Sequence, residues 1–189
     1  MSGTGAVFLD RDGVLIEHVH HLHRPSDVAL IATARAAVAA LNQAGIPAIV
    51  VTNQSVVARG QCDETELGAI HEHVLALLRP AEIQGVYYCP HLPPEPPDAP
   101  QPPYRVACTC RKPEPGLLQQ AAHEHGLDLA RSLMIGDSTS DLEAGRRAGA
   151  LPALVETGVG GRDARYALSD RVFADVGDAV HWWIAQGPR

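Results

Sequence analysis

The stretch VFLDRDGVL, residues 7–15, decides the fold. An apolar run from Ala6 reads as a buried strand, and Asp10 and Asp12 fall where that strand must give way to a turn. Strand ends in α/β proteins are where loops build sites. With one residue between them, the two acids share a face if the strand continues, or are both aimed into a crevice if a turn follows Asp10. Carboxylates that close repel, and Mg²⁺ is the usual reason to tolerate them, because it prefers carboxylate oxygen and keeps positions open for phosphate. Taken alone, the pair reads equally as turn-capping aspartates.

Four further apolar runs resemble the first: residues 47–51, 85–88, 132–135 and 151–155. Between them lie helical patterns over 32–44, 63–78, 116–125 and 138–148, with a last one over 177–186. Asp63 with Glu66 forms a capping-box signature, Pro115 precedes the third helix, and Gly45 ends the first. This alternation of strand and helix predicts an α/β fold with a mostly parallel sheet flanked by helices. Three strands end in polar residues, LDRD, VTNQS and MIGDS, which converge on one crevice at the carboxyl edge of such a sheet.

At 189 residues, 46% hydrophobic, the chain is expected to form a single domain spanning 1–189. A formal net charge of −7 argues against a nucleic-acid or anionic-membrane binder, so an anionic substrate must be met by local cations. No run approaches the roughly 20 apolar residues that span a bilayer, and no signal pattern opens the chain, which predicts a cytoplasmic protein. A monomer that meets any such substrate through local side chains is the expectation.

The convergent segments carry complementary chemistry. Thr52, Asn53, Gln54 and Ser55 offer a hydroxyl, amides and loop N–H groups suited to a phosphoryl oxygen or a substrate. Arg111 and Lys112, ahead of a proline and a helix, form a candidate anion clamp. GDSTSD supplies Asp137 as a metal ligand and Asp141 four residues later, a spacing that places both on one face if both are helical. Each segment alone has an ordinary reading as turn or cap residues.

A separate constellation comprises Cys89, His91, Cys108 and Cys110. Two pairs with one intervening residue each supply a tetrahedral Cys₃His set with no position left for catalysis, which reads as structural zinc. Residues 90–103, which begin inside the first pair and run towards the second, hold eight of the chain's fifteen prolines, so a metal clip at the base of this loop, 89–110, would hold a segment unable to join a ladder or helix. Cys62 reads as a small buried filler, and Trp182 and Trp183 as packing for the last helix. The glycine-rich TGVGGRD, residues 157–163, is weak as a dinucleotide loop.

In order, FLDRDGVL, VVTNQS, CRKPEPGLL and GDSTSDLEAG resemble the haloacid dehalogenase superfamily, and in detail its histidinol-phosphatase-related branch, which includes phosphatases of D-glycero-D-manno-heptose 1,7-bisphosphate. The resemblance implies a Rossmann-like fold without a large cap, since about forty residues separate Asp12 from Thr52. It implies Asp10 as nucleophile, Asp12 as general acid and base, and Thr52 and Lys112 on the transferring phosphoryl group. Mg²⁺ would lie on Asp10, the Asp12 backbone and Asp137, Arg111 would recognise substrate, and zinc would occupy the Cys₃His loop. The implied reaction is removal of the 7-phosphate, with histidinol phosphate or another sugar phosphate as alternative substrates. Ile16, His20 and His21 stand where relatives have Asn, Gly and Tyr, and Ser138 where many have Lys, so His20, His21 and Ser138 are candidate substrate contacts. A non-catalytic phosphoacceptor or a zinc-bearing binding module is the rival from another class, and it has no use for an acid at Asp12.

Overall fold

The computed structural model describes residues 3–95 and 103–187. Six parallel strands form one sheet: β1 (Val7–Leu9), β2 (Ala48–Asn53), β3 (Gly85–Cys89), β4 (Leu133–Gly136), β5 (Leu151–Val155) and β6 (Val172–Phe173). Their order, β3-β2-β1-β4-β5-β6, puts β1 and β4 side by side where the chain reverses its direction of travel across the sheet. That junction is the topological switch point, and the crevice opens beyond the carboxyl ends of these two strands.

Alternation along the strands builds a core on each face. Val7 and Leu9 of β1, with Ala48 and Val50 of β2, face α1 (Ala34–Gln43), α2 (Glu64–Leu78) and α5 (Val176–Ala185). Phe8, Ile49 and Val51 face the opposite way, onto α3 (Gly116–His125) and α4 (Thr139–Ala148). Strands covered on both faces read as continuous apolar runs, and this is why all five long ones stand out in the sequence. Asp63 caps α2 through a reciprocal bond with Glu66, α3 follows Pro115, and Gly45 beyond α1 has φ +68°.

Two details differ from expectation. The two-residue β6, with Val172 48% exposed, gave no apolar run to read. Asp137 precedes α4, whose N-cap is Ser138, so Asp137 and Asp141 do not share a helical face. Their carboxylates meet because the strand end and the first helical turn fold back on each other. Of the proline-rich segment, residues 96–102 lie outside the described residues. Trp183 is buried in the core, and Trp182 packs on Phe173 of β6 with ring centroids 5.4 Å apart. Cys62 fills a small cluster with Val56, Val57 and Leu67.

Candidate active site

Asp10 is the first residue after β1, and its backbone N–H donates to the Ile135 carbonyl of β4 at 2.9 Å. This bond ties the tip of one strand to its neighbour at the switch point. Asp137, one residue past β4, brings its carboxylate to the same spot, and Asp141 enters from the first turn of α4. The carboxylate oxygens of Asp10, Asp137 and Asp141 lie within 4.8 Å of one another, and all three residues are buried. Lys112, 3% exposed, reaches in between them: its Nζ lies 2.6 Å from Asp10 Oδ1, 2.6 Å from Asp141 Oδ1 and 2.7 Å from the Val51 carbonyl.

Three buried carboxylates against one ammonium leave a formal charge of −2. Burial pushes the Asp10 carboxyl up to about 7, with Asp141 and Asp12 adding to the rise and Lys112 opposing it. Burial also lifts Asp137 to about 8, helped by Asp10 and Asp141. For Lys112 burial works against the charge, but the two facing carboxylates outweigh it and hold the ammonium charged. The deficit equals the charge of one divalent cation, and an all-oxygen donor set suits Mg²⁺. In metal-free protein Asp10 and Asp137 bind protons more tightly folded than unfolded, where a carboxyl titrates near 3.9. Their contribution to stability is therefore full below about pH 4 and lost as pH rises through 7 to 8. The rise in Tm on adding Mg²⁺ should be small near about pH 5 and grow towards about pH 8.5. Equal shifts at both would contradict this electrostatic account.

Asp12 sits apart from the acid cluster. Its carboxylate accepts from Arg11 Nε and Nη2 at 3.1 Å each and from Gln54 Nε2 at 2.8 Å. The other Gln54 Nε2 hydrogen reaches Thr52 Oγ1 at 2.9 Å, leaving the threonine hydroxyl hydrogen available to a ligand. Asn53 spends its amide on the Lys112 backbone, accepting from its N–H at 3.0 Å and donating to its carbonyl at 3.1 Å. Asn53 and Gln54, expected to meet substrate, thus also hold Lys112, Thr52 and Asp12 in place.

A cleft of about 230 Å³ opens over this floor, lined by Asp10, Asp12, Thr52, Ser55, Lys112 and Asp137, with His18, His20 and His21 along its rim. The His20 and His21 rings stack at 3.9 Å. Ser138 also lines it, its hydroxyl donating to Asp141 Oδ2 at 2.7 Å.

A family model described as HAD-hydrolase-like matches residues 109–179. The D-glycero-D-manno-heptose-1,7-bisphosphate 7-phosphatase of Thermosynechococcus vestitus is 39% identical, over 94% of either chain. The chain belongs to the HAD-like phosphatases. A second relative, the D-glycero-beta-D-manno-heptose-1,7-bisphosphate 7-phosphatase of Photorhabdus laumondii, is 40% identical over 75% of this chain and 74% of its own. Among solved structures, the B. bronchiseptica D,D-heptose 1,7-bisphosphate phosphatase, complexed with magnesium and phosphate, superposes with a TM-score of 0.83 at 32% identity, covering 97% of this chain and 99% of its own.

This HAD-like phosphatase uses its glycine-rich segment in a way the sequence did not suggest. Thr157 Oγ1 donates to the Gly13 carbonyl at 2.6 Å, Val159 N–H to Asp137 Oδ2 at 2.7 Å and Gly161 N–H to the Asp137 carbonyl at 2.7 Å. Gly13 and Gly158 both have positive φ, and a Cβ on either would collide with the Asp137 carboxylate. TGVGG is the collar that aims Asp137.

The Cys89, His91, Cys108 and Cys110 set converges at the end of β3. Cys89 Sγ lies 3.1 Å from Cys110 Sγ, 3.7 Å from Cys108 Sγ and 3.5 Å from His91 Nδ1. Burial, followed by the neighbouring Cys110, raises the Cys89 thiol strongly, so three thiols packed this tightly suit a metal that takes them as thiolates. Arg111 follows Cys110 directly and donates through Nη1 to the His91 carbonyl at 2.9 Å. It faces a neighbouring cleft of about 380 Å³ that shares Asn53, Lys112 and Ser140 with the first and is also lined by Arg165 and Tyr166. The N–H groups of both latter residues donate to Thr139 Oγ1 at 3.2 Å, which fixes this loop on α4. Arg165 and Tyr166 carried no sequence signal of their own: they follow TGVGGRD by two and three residues and reach the cleft through the loop after β5.

Proposed function

We propose that this phosphatase is Mg²⁺-dependent and removes the 7-phosphate of D-glycero-D-manno-heptose 1,7-bisphosphate through an aspartyl-phosphate on Asp10. The observation that carries the reading is the pair of joined clefts: an acid and ammonium floor that fits a metal and a transferring phosphoryl group, opening onto Arg111 and Arg165. A bisphosphate needs both. Mg²⁺ held by Asp10, Asp137 and the Asp12 backbone carbonyl would neutralise charge on the phosphoryl oxygens.

The remaining work falls to this chain's own groups. Asp10 attacks phosphorus in line while the Lys112 ammonium and the Thr52 hydroxyl bind equatorial oxygens. Asp12 protonates the departing alkoxide and then takes a proton from the hydrolytic water. Asp141 fixes Lys112 from behind, with its own Oδ2 held by Ser138. In the second cleft the guanidinium fork of Arg111 would take the 1-phosphate, with Arg165 beside it. Burial lowers the proton affinity of Arg111, with Cys89 and Cys108 opposing and Arg165 and Arg59 adding to the fall.

The test is kcat/KM for both anomers of the 1,7-bisphosphate against heptose 7-phosphate and histidinol phosphate. The bisphosphate should win, and Arg111→Ala should raise its KM roughly tenfold to a hundredfold, a loss of about 1.5–3 kcal/mol, with little change for monophosphates. If histidinol phosphate were preferred tenfold, about 1.4 kcal/mol in the transition state, the heptose assignment would fall and the phosphatase would remain.

Zinc in the Cys₃His loop would stabilise a segment with little core of its own. Elemental analysis should find about one zinc per chain. Chelation or Cys108→Ser should lower Tm and raise KM through Arg111. Substoichiometric zinc, with both parameters untouched by the substitution, would remove this part of the proposal.

A further inference from the structure

Arg11 is 1% exposed, although it is a charged residue between two active-site aspartates. One edge of its guanidinium is fully used: Nε and Nη2 bind the Asp12 carboxylate, and Nη2 also donates to Gln54 Oε1 at 2.8 Å. The remaining nitrogen, Nη1, is buried and has no hydrogen-bond partner among the described residues. His71, 7% exposed and carried on α2, presents a second such atom, Nε2. Both residues line one small cavity of about 10 Å³, whose other walls are Val50, Val74, Leu75 and Val86. Two buried polar atoms without partners, on two residues that share the walls of a cavity with room for about one water, call for one.

We propose that a buried water bridges Arg11 Nη1 to His71 Nε2, making His71 the positioning residue that fixes the guanidinium and, through it, the orientation of Asp12, Gln54 and Thr52. Nη1 can only donate, so the water accepts from it. A water that accepted from an Nε2–H as well would leave both its own hydrogens against Val50, Val74, Leu75 and Val86, so the proposed bridge runs onward to Nε2 as acceptor, in the neutral imidazole with its proton on Nδ1. Burial, followed by the field of Arg11, depresses the His71 pKa to about 4, with Asp12 opposing, so the ring is neutral at neutral pH.

The reach of the bridge follows from the bonds beyond it. Gln54 Oε1 accepts from Arg11, which turns the amide so that Nε2 points at both Asp12 Oδ2 and Thr52 Oγ1. A guanidinium free to rotate about its last bond would release the amide and the carboxylate together. The consequence belongs to the chemical step, because Asp12 and Thr52 are groups assigned to the transition state, and this part of the inference rests on the proposed phosphatase mechanism.

Two measurements test it. In the full chain loaded with Mg²⁺, ¹⁵N chemical shifts of the His71 ring should report a protonated Nδ1 and an unprotonated, hydrogen-bonded Nε2 between about pH 5 and 9. A protonated Nε2 would overturn the bridge, and this reading stands whether or not the enzyme hydrolyses the proposed substrate. In turnover, His71→Leu removes the acceptor and fills the cavity, while His71→Gln keeps an acceptor oxygen on a side chain of similar length. His71→Leu should lower kcat about tenfold with KM within twofold, and His71→Gln should restore most of it. Equal activity in the Leu variant, or an equal loss in both variants despite native thermal unfolding, would contradict the positioning role. Absence of turnover by the wild type on every phosphate ester would instead count against the mechanism.

Discussion

Asp10→Asn is expected to abolish turnover, by about four orders of magnitude or more, corresponding to about 5.4 kcal/mol in the transition state. The amide matches the carboxylate in shape but cannot attack phosphorus. It also removes one of three crowded buried acids. Lys112 keeps its contact with Asp141 at 2.6 Å, so the fold should persist. In metal-free protein above about pH 7 the variant should melt no lower than wild type and gain less from Mg²⁺, because the repulsion that cation relieves is smaller. Steady-state phosphate release with thermal unfolding on the same preparation checks both. Residual turnover within tenfold of wild type would remove Asp10 from its role.

Lys112→Met should be the most damaging single change to the site as a structure. It keeps an unbranched side chain one atom shorter but withdraws the ammonium facing Asp10 and Asp141, leaving buried carboxylates without a cation. Breaking a buried pair in this way costs about 3–5 kcal/mol. At 189 residues that translates into a fall in Tm of roughly 10 °C or more. Loss of Lys112 raises Asp10 and Asp137 further above their unfolded value, so the penalty is largest at about pH 8 and shrinks towards about pH 4 as those acids take protons. Activity should fall by about three orders of magnitude, since a donor aimed at transferring phosphoryl oxygens is lost. Unaltered stability at about pH 8 would mean that the ammonium does not compensate the acids.

The sheet was legible because strands covered on both faces must be apolar along their whole length, and the acids were legible because Asp10 and Asp137 sit where such runs stop. What stayed hidden has a physical pattern. Asn53 and Gln54 were read as ligand contacts, yet their amides also pair with Lys112, fifty-nine residues on, and with Asp12, forty-two residues back. Local sequence does not show which donors the fold will consume. Nothing in the sequence marks Arg11 as an interior cation, and only the fold, which sets it among half-buried Asp12 and buried Gln54 and His71, makes it one. The collar at Gly158 was unreadable because the need for glycine is created by Asp137 and Gly13, which the chain brings there from elsewhere.

The central claim, covalent phosphoryl transfer to Asp10, is open to a direct measurement. Wild-type enzyme turning over the heptose bisphosphate with Mg²⁺ is quenched in acid, and any acyl phosphate is reduced with tritiated borohydride, which leaves tritium on that side chain. Tryptic cleavage after Arg11 releases a fragment, MSGTGAVFLDR, in which Asp10 is the sole carboxylate side chain, whereas Asp12 begins the next. The account predicts tritium in the fragment ending at Arg11, dependent on substrate and Mg²⁺. Tritium in the fragment that begins at Asp12, or none in either while phosphate is being released, would contradict it.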